Sequence, residues 1–424
     1  MKYNRRVAAP GEALSVTIVG NWPLQFSQCI PYIHELVRRK IDIHFCVTKY
    51  IMDVFPDVMA LGESITDLDQ MRNETQLAHR VYQITERFIN ALTSSWVLRH
   101  FVKARQNRIS NTALSIVGRI VLGNPFPARK VLHVTKTRVP HLLCARKIQV
   151  YTFVGSWDHP QKIAAAGHRS DLVFVWNEGL SDDWKYFQGD SNIDCCFPIP
   201  FSYLLTSGGE KRKNTNKSNI KKVMYGMTTQ SKHPGKLFYE ECEVVQALAS
   251  ACDSVGLKLF VKPKPNGAIG ELDHLLQYDN VEIGSYHVQS EKDNLILTEE
   301  YNQQRLRELA ECDLVVNIAT TFALDAALYG LPVAQLGFDT PELFPSIFAV
   351  QQNHHTKRHL LCNDDEVFNV SENTPFIEQL MEIFSETNQL YKKSTEFSLR
   401  LRKWMMPNES LEASVRRVVD RILL

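Results

Sequence analysis

The sequence predicts an α/β protein built from two Rossmann-like domains, and three observations carry that prediction. Asp313 to Phe338 reads DLVVNIATTFALDAALYGLPVAQLGF, with a β-branched apolar run at Leu314–Ile318, a helix-forming run at Thr320–Leu328 and a second apolar run at Leu331–Leu336. That is the strand, helix, strand order of a parallel sheet. The same order opens the chain, with Leu14–Val19, a helix to about Lys40 and Ile41–Thr48, as expected for a βαβ unit. Between the two lies Thr206–Lys222, TSGGEKRKNTNKSNIKK, whose polar, glycine- and serine-containing composition reads as a linker.

Size and composition agree. A chain of 424 residues holds two or three domains at about 150 residues each. Its 44% hydrophobic and 22% charged residues are those of a globular protein rather than a disordered one. Nine cysteines occur without a CxxC pair, which argues for reduced thiols and against a zinc site or a disulfide framework. The start, MKYNRRVAAPGEALSV, lacks the apolar core of a signal peptide, and no apolar run of about 18 residues suggests a membrane span. A cytoplasmic protein is expected.

Net charge is +1 but unevenly spread: residues up to Leu205 carry +7 and those after it −6. From Arg87 to Trp157 there are twelve Lys or Arg and no Asp or Glu. An anionic partner is expected for the first half.

Taken in order, the first strand ends at Gly20, Asn21, Trp22 and Pro23. Without GxGxxG, this turn does not indicate a dinucleotide cofactor. Asn21 and Gln25 are candidate acceptor contacts, or else ordinary turn residues. Met59–Asn90 is polar and mostly helical in pattern, and its Asp67-Leu68-Asp69 lies without a preceding strand, so it reads as a solvated face rather than a metal motif. Ser95–Gly123 interleaves Trp96, Leu98, Phe101 and Ile116 with Arg99, Lys103, Arg105 and Arg119. Residues 96–122 thus suit an anionic membrane surface or a phosphorylated acceptor, or a core helix with a basic outer face. No nucleic-acid motif accompanies the charge.

Lys130–Thr135 and Ile148–Val154 read as strands, the second ending in GSWDHP, Gly155 to Pro160. Asp158 or His159 is the candidate general base, with Trp157 beside them, although an aspartate in such a turn also caps helices. Leu172–Trp176 is a further strand, and Glu178 just beyond it is the reserve base. After the linker come strand Val223–Tyr225, the loop Gly226, Met227, Thr228, Thr229, a helix over Lys236–Ser254, strand Lys258–Val261 with Lys262 and Lys264 following, a short strand at Val281–Ile283 and a helix at Leu306–Cys312. Ligands bind outside the carboxyl ends of parallel strands. That places Gly226, Thr228, Thr229, Lys262, Lys264, Asn317, Thr320 and Thr321 where a phosphate would be held. Asp325, one turn into its helix, can accept from a ribose diol, or simply suit the positive end of the helix dipole while Thr320 and Thr321 act as caps. Gly330 and Pro332 stop that helix.

Three patches, GSWDHP followed by DLVFVWNEG, then VKPKP, then NIATTFALDAALYGLPV, resemble two-domain glycosyltransferases of the GT-B architecture, above all bacterial capsule and lipopolysaccharide transferases and their glycerophosphotransferase and nonulosonic acid transferase relatives. The resemblance implies two Rossmann-like domains facing a cleft: an acceptor domain at 1–205, a linker at 206–222, a nucleotide-sugar domain at 223–395, and helices at 396–424 that return to the first domain. It further implies a UDP- or CMP-linked sugar as donor substrate, no metal or other cofactor, Asp158 as base, and an oligosaccharide or lipid-linked acceptor. Thr320 and Thr321 would meet phosphates, Asp325 the ribose, and Lys262 and Lys264 the donor's phosphate or acid group. Lys264 stands where relatives carry His, and Asp325 where they carry Glu. Two other functions fit the pattern: a non-hydrolysing sugar-nucleotide epimerase and a non-catalytic partner in carbohydrate assembly.

Overall fold

The computed structural model describes residues 14–70, 84, 128–134, 148–156, 170–188, 192–205, 220–228, 236–263, 272, 275, 277–284, 299–318, 320–353 and 364–424. The chain divides into two units, Met1–Pro200 with Pro407–Leu424, and Phe201–Met406.

The first unit is built on seven parallel strands: β1 Ser15–Gly20, β2 Asp42–Val47, β3 Ser64–Asp67, β4 Lys130–Val134, β5 Gln149–Phe153, β6 Leu172–Val175 and β7 Ile193–Cys195. Their order is β3-β2-β1-β4-β5-β6-β7, so the direction of winding reverses between β1 and β4. Strands of this kind are covered on both faces, and Val16, Ile18, Val131, Leu132, Val173 and Phe174 are accordingly buried. Helices α1 Pro23–Phe26, α2 Ile30–Arg38, α3 Lys49–Val54 and α4 Glu178–Gln188 belong to this unit.

β3 corrects the sequence expectation for Asp67-Leu68-Asp69, which does follow a strand. The two acids are used locally. Asp67 Oδ1 accepts from the backbone N–H groups of Asp69 and Gln70 at 2.8 and 3.3 Å, and Asp69 Oδ2 accepts from Lys49 N at 3.3 Å. They close a turn and cap a helix start. Among the described residues no cluster of His, Cys, Asp or Glu is arranged to hold a metal.

The second unit has β8 Lys222–Gly226, β9 Lys258–Lys262, β10 Val281–Ile283, β11 Leu314–Asn317, β12 Val333–Phe338 and β13 Val367–Val370, in the order β10-β9-β8-β11-β12-β13, all parallel. Its reversal point lies between β8 and β11. Its longer helices among the described residues are α5 Lys236–Ser254, α6 Glu299–Glu311, α7 Phe322–Tyr329, α8 Pro345–Asn353, α9 Phe376–Ser385 and α10 Thr387–Met405. α7 ends where its sequence says it should. Gly330 has φ +94°, and the N–H groups of Gly330 and Leu331 both return to Ala326 O, at 3.0 and 2.9 Å, a left-handed stop that suits glycine.

Two segments fall on the other side of the division from the one expected. Phe201–Leu205 belongs to the second unit, where Tyr203 is buried against Asp325. Ser398–Met406 also stays there, because it completes α10, with Leu401 buried and Ser398 Oγ donating to Leu331 O at 2.5 Å. Only the closing helix α11, Leu411–Leu423, beyond the break at Pro407, joins the first unit. Ser410 caps it at Ala413 N, and Lys130 Nζ donates to its last carbonyls, Ile422 O and Leu423 O, at 2.6 and 2.7 Å. A cation there also suits the negative end of the helix dipole.

α11 packs on α2 through a charged seam. Glu35 accepts from Arg38 at 2.6 and 2.7 Å and from Arg39 at 2.7 Å, and Arg39 also reaches Asp420. Hydrogen bonds from Arg38, working against burial, hold the Glu35 carboxyl at about 2, below its ordinary 4.5. A depressed carboxylate contributes stability that is present above the ordinary value and is lost as pH falls toward the folded one. Urea midpoints measured from pH 6 to pH 2.5 should therefore fall more steeply for the wild type than for Glu35→Gln, the difference building up below about pH 4.5. Parallel curves would remove Glu35 from the acid response.

Candidate functional site

In open parallel sheets the ligand crevice lies outside the strand carboxyl ends at the reversal point. In the second unit that point brings together Gly226 and Thr228 after β8 with Asn317, Thr320 and Thr321 after β11. The approach is close: a Cβ added at Gly226 would lie 3.1 Å from Phe322 Cδ1, in the first turn of α7. These residues are nearly a hundred positions apart in sequence and meet only because β8 and β11 are neighbours.

What each side chain does there differs from the sequence expectation in several places. Asn317 is fully buried. Its amide donates to Gln335 Oε1 at 2.5 Å and its Oδ1 accepts from Thr320 N at 3.0 Å. Gln335 and Gln351 continue this relay to the carbonyls of Ile318 and Leu336. Asn317 therefore shapes the turn from below instead of facing a ligand. Thr320 Oγ1 accepts from Phe322 N at 3.1 Å, so Thr320 supplies a cap to α7, while Thr321 occupies the cap position without a side-chain cap bond. Both remain partly exposed.

Thr228 is fixed by an acid that the sequence reading missed. Glu241, fully buried on α5, accepts from Thr228 N at 2.5 Å, Thr228 Oγ1 at 2.6 Å and Tyr225 Oη at 2.9 Å. Burial, reinforced by Glu241, pushes the Tyr225 hydroxyl well above its ordinary range, which keeps it a donor. A polar residue on the buried face of α5, between Phe238 and Val244, was the available signal.

Lys262 and Asp325 are the largest departures. Lys262 is 6% exposed and pairs with Glu308 of α6 at 2.6 and 2.9 Å. Burial pulls its ammonium below the ordinary lysine range and Glu308 opposes that. Asp325 is 2% exposed: one oxygen pairs with Arg305 at 2.5 Å and the other accepts from Tyr203 Oη. Burial raises the Asp325 carboxyl and Arg305 works against it. The rings of Tyr203, Tyr301 and Phe322 surround the Arg305 guanidinium with centroids 5.4 to 5.5 Å away. Asp325 is thus the internal counter-ion of a buried arginine, and in this arrangement its oxygens are not presented to a ribose. Arg305 was legible in principle: it lies at helical spacing from the buried Tyr301 and Leu309 of α6, so an arginine sits on the inward side of that helix.

Of the remaining candidates, Glu178 is exposed at the start of α4, beside Asn177, whose Oδ1 accepts from Leu180 N at 2.9 Å. Asn21 and Gln25 lie beyond the end of β1, at the reversal point of the first sheet. Trp157, Asp158, His159, Thr229 and Lys264 lie outside the described residues, as do the basic segment 95–123 and residues 206–219 of the expected linker. Among the described residues no helix is long and apolar enough to cross a membrane.

No family model matches the chain, and no curated protein does. Solved structures do. The chain is similar to a UDP-GlcNAc 2-epimerase from Neisseria meningitidis bound to UDP-GlcNAc, at 13% identity over 97% of this chain and 100% of that one, with a TM-score of 0.51. It is similar to CalG4, the calicheamicin glycosyltransferase, at 14% identity over 97% and 98%, with a TM-score of 0.50. It also resembles a Methanocaldococcus jannaschii UDP-GlcNAc 2-epimerase in complex with UDP-GlcNAc and UDP, at 14% identity over 97% and 99%, with a TM-score of 0.50. At such identities the likeness establishes the fold: two Rossmann-like units of the GT-B type.

Proposed function

We propose that this GT-B chain is a glycosyltransferase that binds a UDP- or CMP-linked sugar in its second unit and passes the sugar to a hydroxyl of a surface polysaccharide or glycolipid. The observation that carries this reading is the convergence of Gly226, Thr228, Thr320, Thr321 and the first turn of α7 at the reversal point of the second sheet. A helix start faces that point, and helix starts favour phosphate groups. The neighbours bound to UDP-GlcNAc support a nucleotide-sugar ligand on this fold.

The reaction would be direct displacement. The acceptor hydroxyl attacks the anomeric carbon, the bond from that carbon to the phosphate oxygen breaks, and the nucleotide leaves with the electron pair. Asp158, or His159, takes the hydroxyl proton. Charge on the departing phosphate is met by the start of α7 and the Thr320 and Thr321 hydroxyls, which on this reading do the work a metal does elsewhere. Docking of residues 96–122 on anionic lipid would bring the enzyme to a lipid-linked acceptor.

A thermal-melt panel of UDP, CMP, GDP and dTDP sugars tests the donor site. At about 100 times its dissociation constant the true donor should add about 2.7 kcal/mol to stability. Thr320→Val with Thr321→Val should lose most of that gain. If no nucleotide sugar moves the melt at millimolar concentration, the donor reading fails. A second reading, a nucleotide-sugar epimerase, is favoured by the UDP-GlcNAc 2-epimerases among the similar structures. It predicts that an epimeric nucleotide sugar accumulates without any acceptor, whereas transfer predicts an unchanged donor under those conditions.

A further inference from the structure

The first sheet carries its own cluster of polar groups at its reversal point. Asn21 Oδ1, Gln25 Oε1 and Thr48 Oγ1 are each buried without a hydrogen-bond partner. All three stand at one end of the sheet. Thr48 N donates to Gly20 O at 3.3 Å, joining the ends of β1 and β2, and Asn21 follows Gly20 directly. The N–H groups of Gln25 and Phe26 return to Trp22 O at 3.1 and 2.9 Å, which folds the start of α1 over the same end. A Cβ at Gly20 would lie 2.8 Å from Phe26 and 3.1 Å from Ile51, so α1 and α3 crowd that end of β1.

Thr48 is the least expected of the three. It is 6% exposed and stands at the cap position of α3 with extended backbone, φ −70° and ψ 154°, the geometry in which a threonine hydroxyl normally accepts from the helix start, yet it makes no cap bond. A buried polar group left unmatched costs about 1–3 kcal/mol. Three of them at a sheet end used for ligands point to a partner that arrives from solution. As placed, the two amides present oxygens, and the threonine offers a hydroxyl. Such a lining suits a ligand rich in O–H donors better than a phosphate or carboxylate, whose oxygens mainly accept. Between Asn21 and Gln25 in the chain, Trp22 is 47% exposed.

We infer that Asn21, Trp22, Gln25 and Thr48 form a subsite for a neutral, polyhydroxylated ring: a sugar whose C–H face lies on the Trp22 indole and whose hydroxyls donate to the two amide oxygens and the Thr48 hydroxyl. The inference rests on the proposed function for the role of this sugar as acceptor, but its binding requires no nucleotide. The subsite thus selects an uncharged sugar.

Saturation-transfer NMR on the full chain, with methyl glycosides of glucose, galactose and N-acetylglucosamine as probes and inorganic phosphate as competitor, tests it. At least one glycoside should receive saturation at its ring protons, phosphate should not compete, and Trp22→Ala should abolish the signal. Thr48→Val carries the sharper outcome: it should weaken glycoside binding about tenfold or more while leaving the unliganded melting temperature equal or higher, because it removes an unmatched hydroxyl. A structural role for Thr48 would lower that temperature instead, and this result would overturn its place in the subsite. Absence of saturation from every glycoside, while a nucleotide sugar still shifts the melt, overturns the subsite and spares the donor reading. Glycoside binding without any nucleotide response does the reverse.

Discussion

Asp325→Ala is expected to destabilise the second unit by about 3–5 kcal/mol, because it leaves the Arg305 guanidinium buried without its counter-ion. Burial works against that charge, and its acidic neighbours, Asp325 foremost, more than offset it. Tyr203 would lose its acceptor at the same time. The double variant Asp325→Leu with Arg305→Met, which removes both charges and keeps volume, should recover most of the loss, as buried ion pairs replaced by apolar residues often do. Denaturant midpoints for the two singles and the double measure this directly. A single-variant loss under about 1 kcal/mol would mean that water reaches the pair and that the aromatic surround does not isolate it.

This outcome changes how the donor assay is read. A variant at Asp325 lowers stability before any ligand is added, so a smaller melt shift in it is not by itself a lost ribose contact. Each variant has to be compared with its own unliganded melt, and Thr320 and Thr321 are the better probes of the site.

The second large effect concerns the proton. If Asp158 is the base, Asp158→Ala should lower turnover by about 10²- to 10⁴-fold with little change in donor binding. Glu178→Gln should stay near wild type. Its position in the first turn of α4, exposed and next to the Asn177 cap, has a sufficient local cause in the helix dipole. His159→Ala separates the remaining choice within the GSWDHP turn. Should Glu178→Gln fall as far as Asp158→Ala is expected to, the roles exchange. Should all three variants turn over normally while the donor still binds, none of these groups is the base and proton transfer lies elsewhere.

Much of the fold was legible because it is written locally. Parallel strands buried on both faces need runs rich in apolar and β-branched residues, so Leu14–Val19, Ile148–Val154 and Leu314–Ile318 announce themselves, and a left-handed stop suits a glycine, so Gly330 marks the end of α7. The edge strand β3 escaped notice because Ser64–Asp67 is short, with Ser64 and Ile65 exposed, and an edge strand need not be apolar.

The candidate site was legible as a location and not as a set of contacts. Strand ends and glycines fix where the chain turns, and those signals put Gly226, Thr228, Thr320 and Thr321 at the carboxyl end of the sheet. Whether a charged group at such a turn meets a ligand or a neighbour depends on residues far away in sequence. Asp325 meets Tyr203 from 122 positions away, and Lys262 meets Glu308 from 46. Tertiary packing rather than strand pairing brings those groups together, because Tyr203, Asp325 and Glu308 all stand on helices. A carboxylate or ammonium taken out of water must find an opposite charge in the folded chain, and the sequence states which charges exist without stating which of them become neighbours.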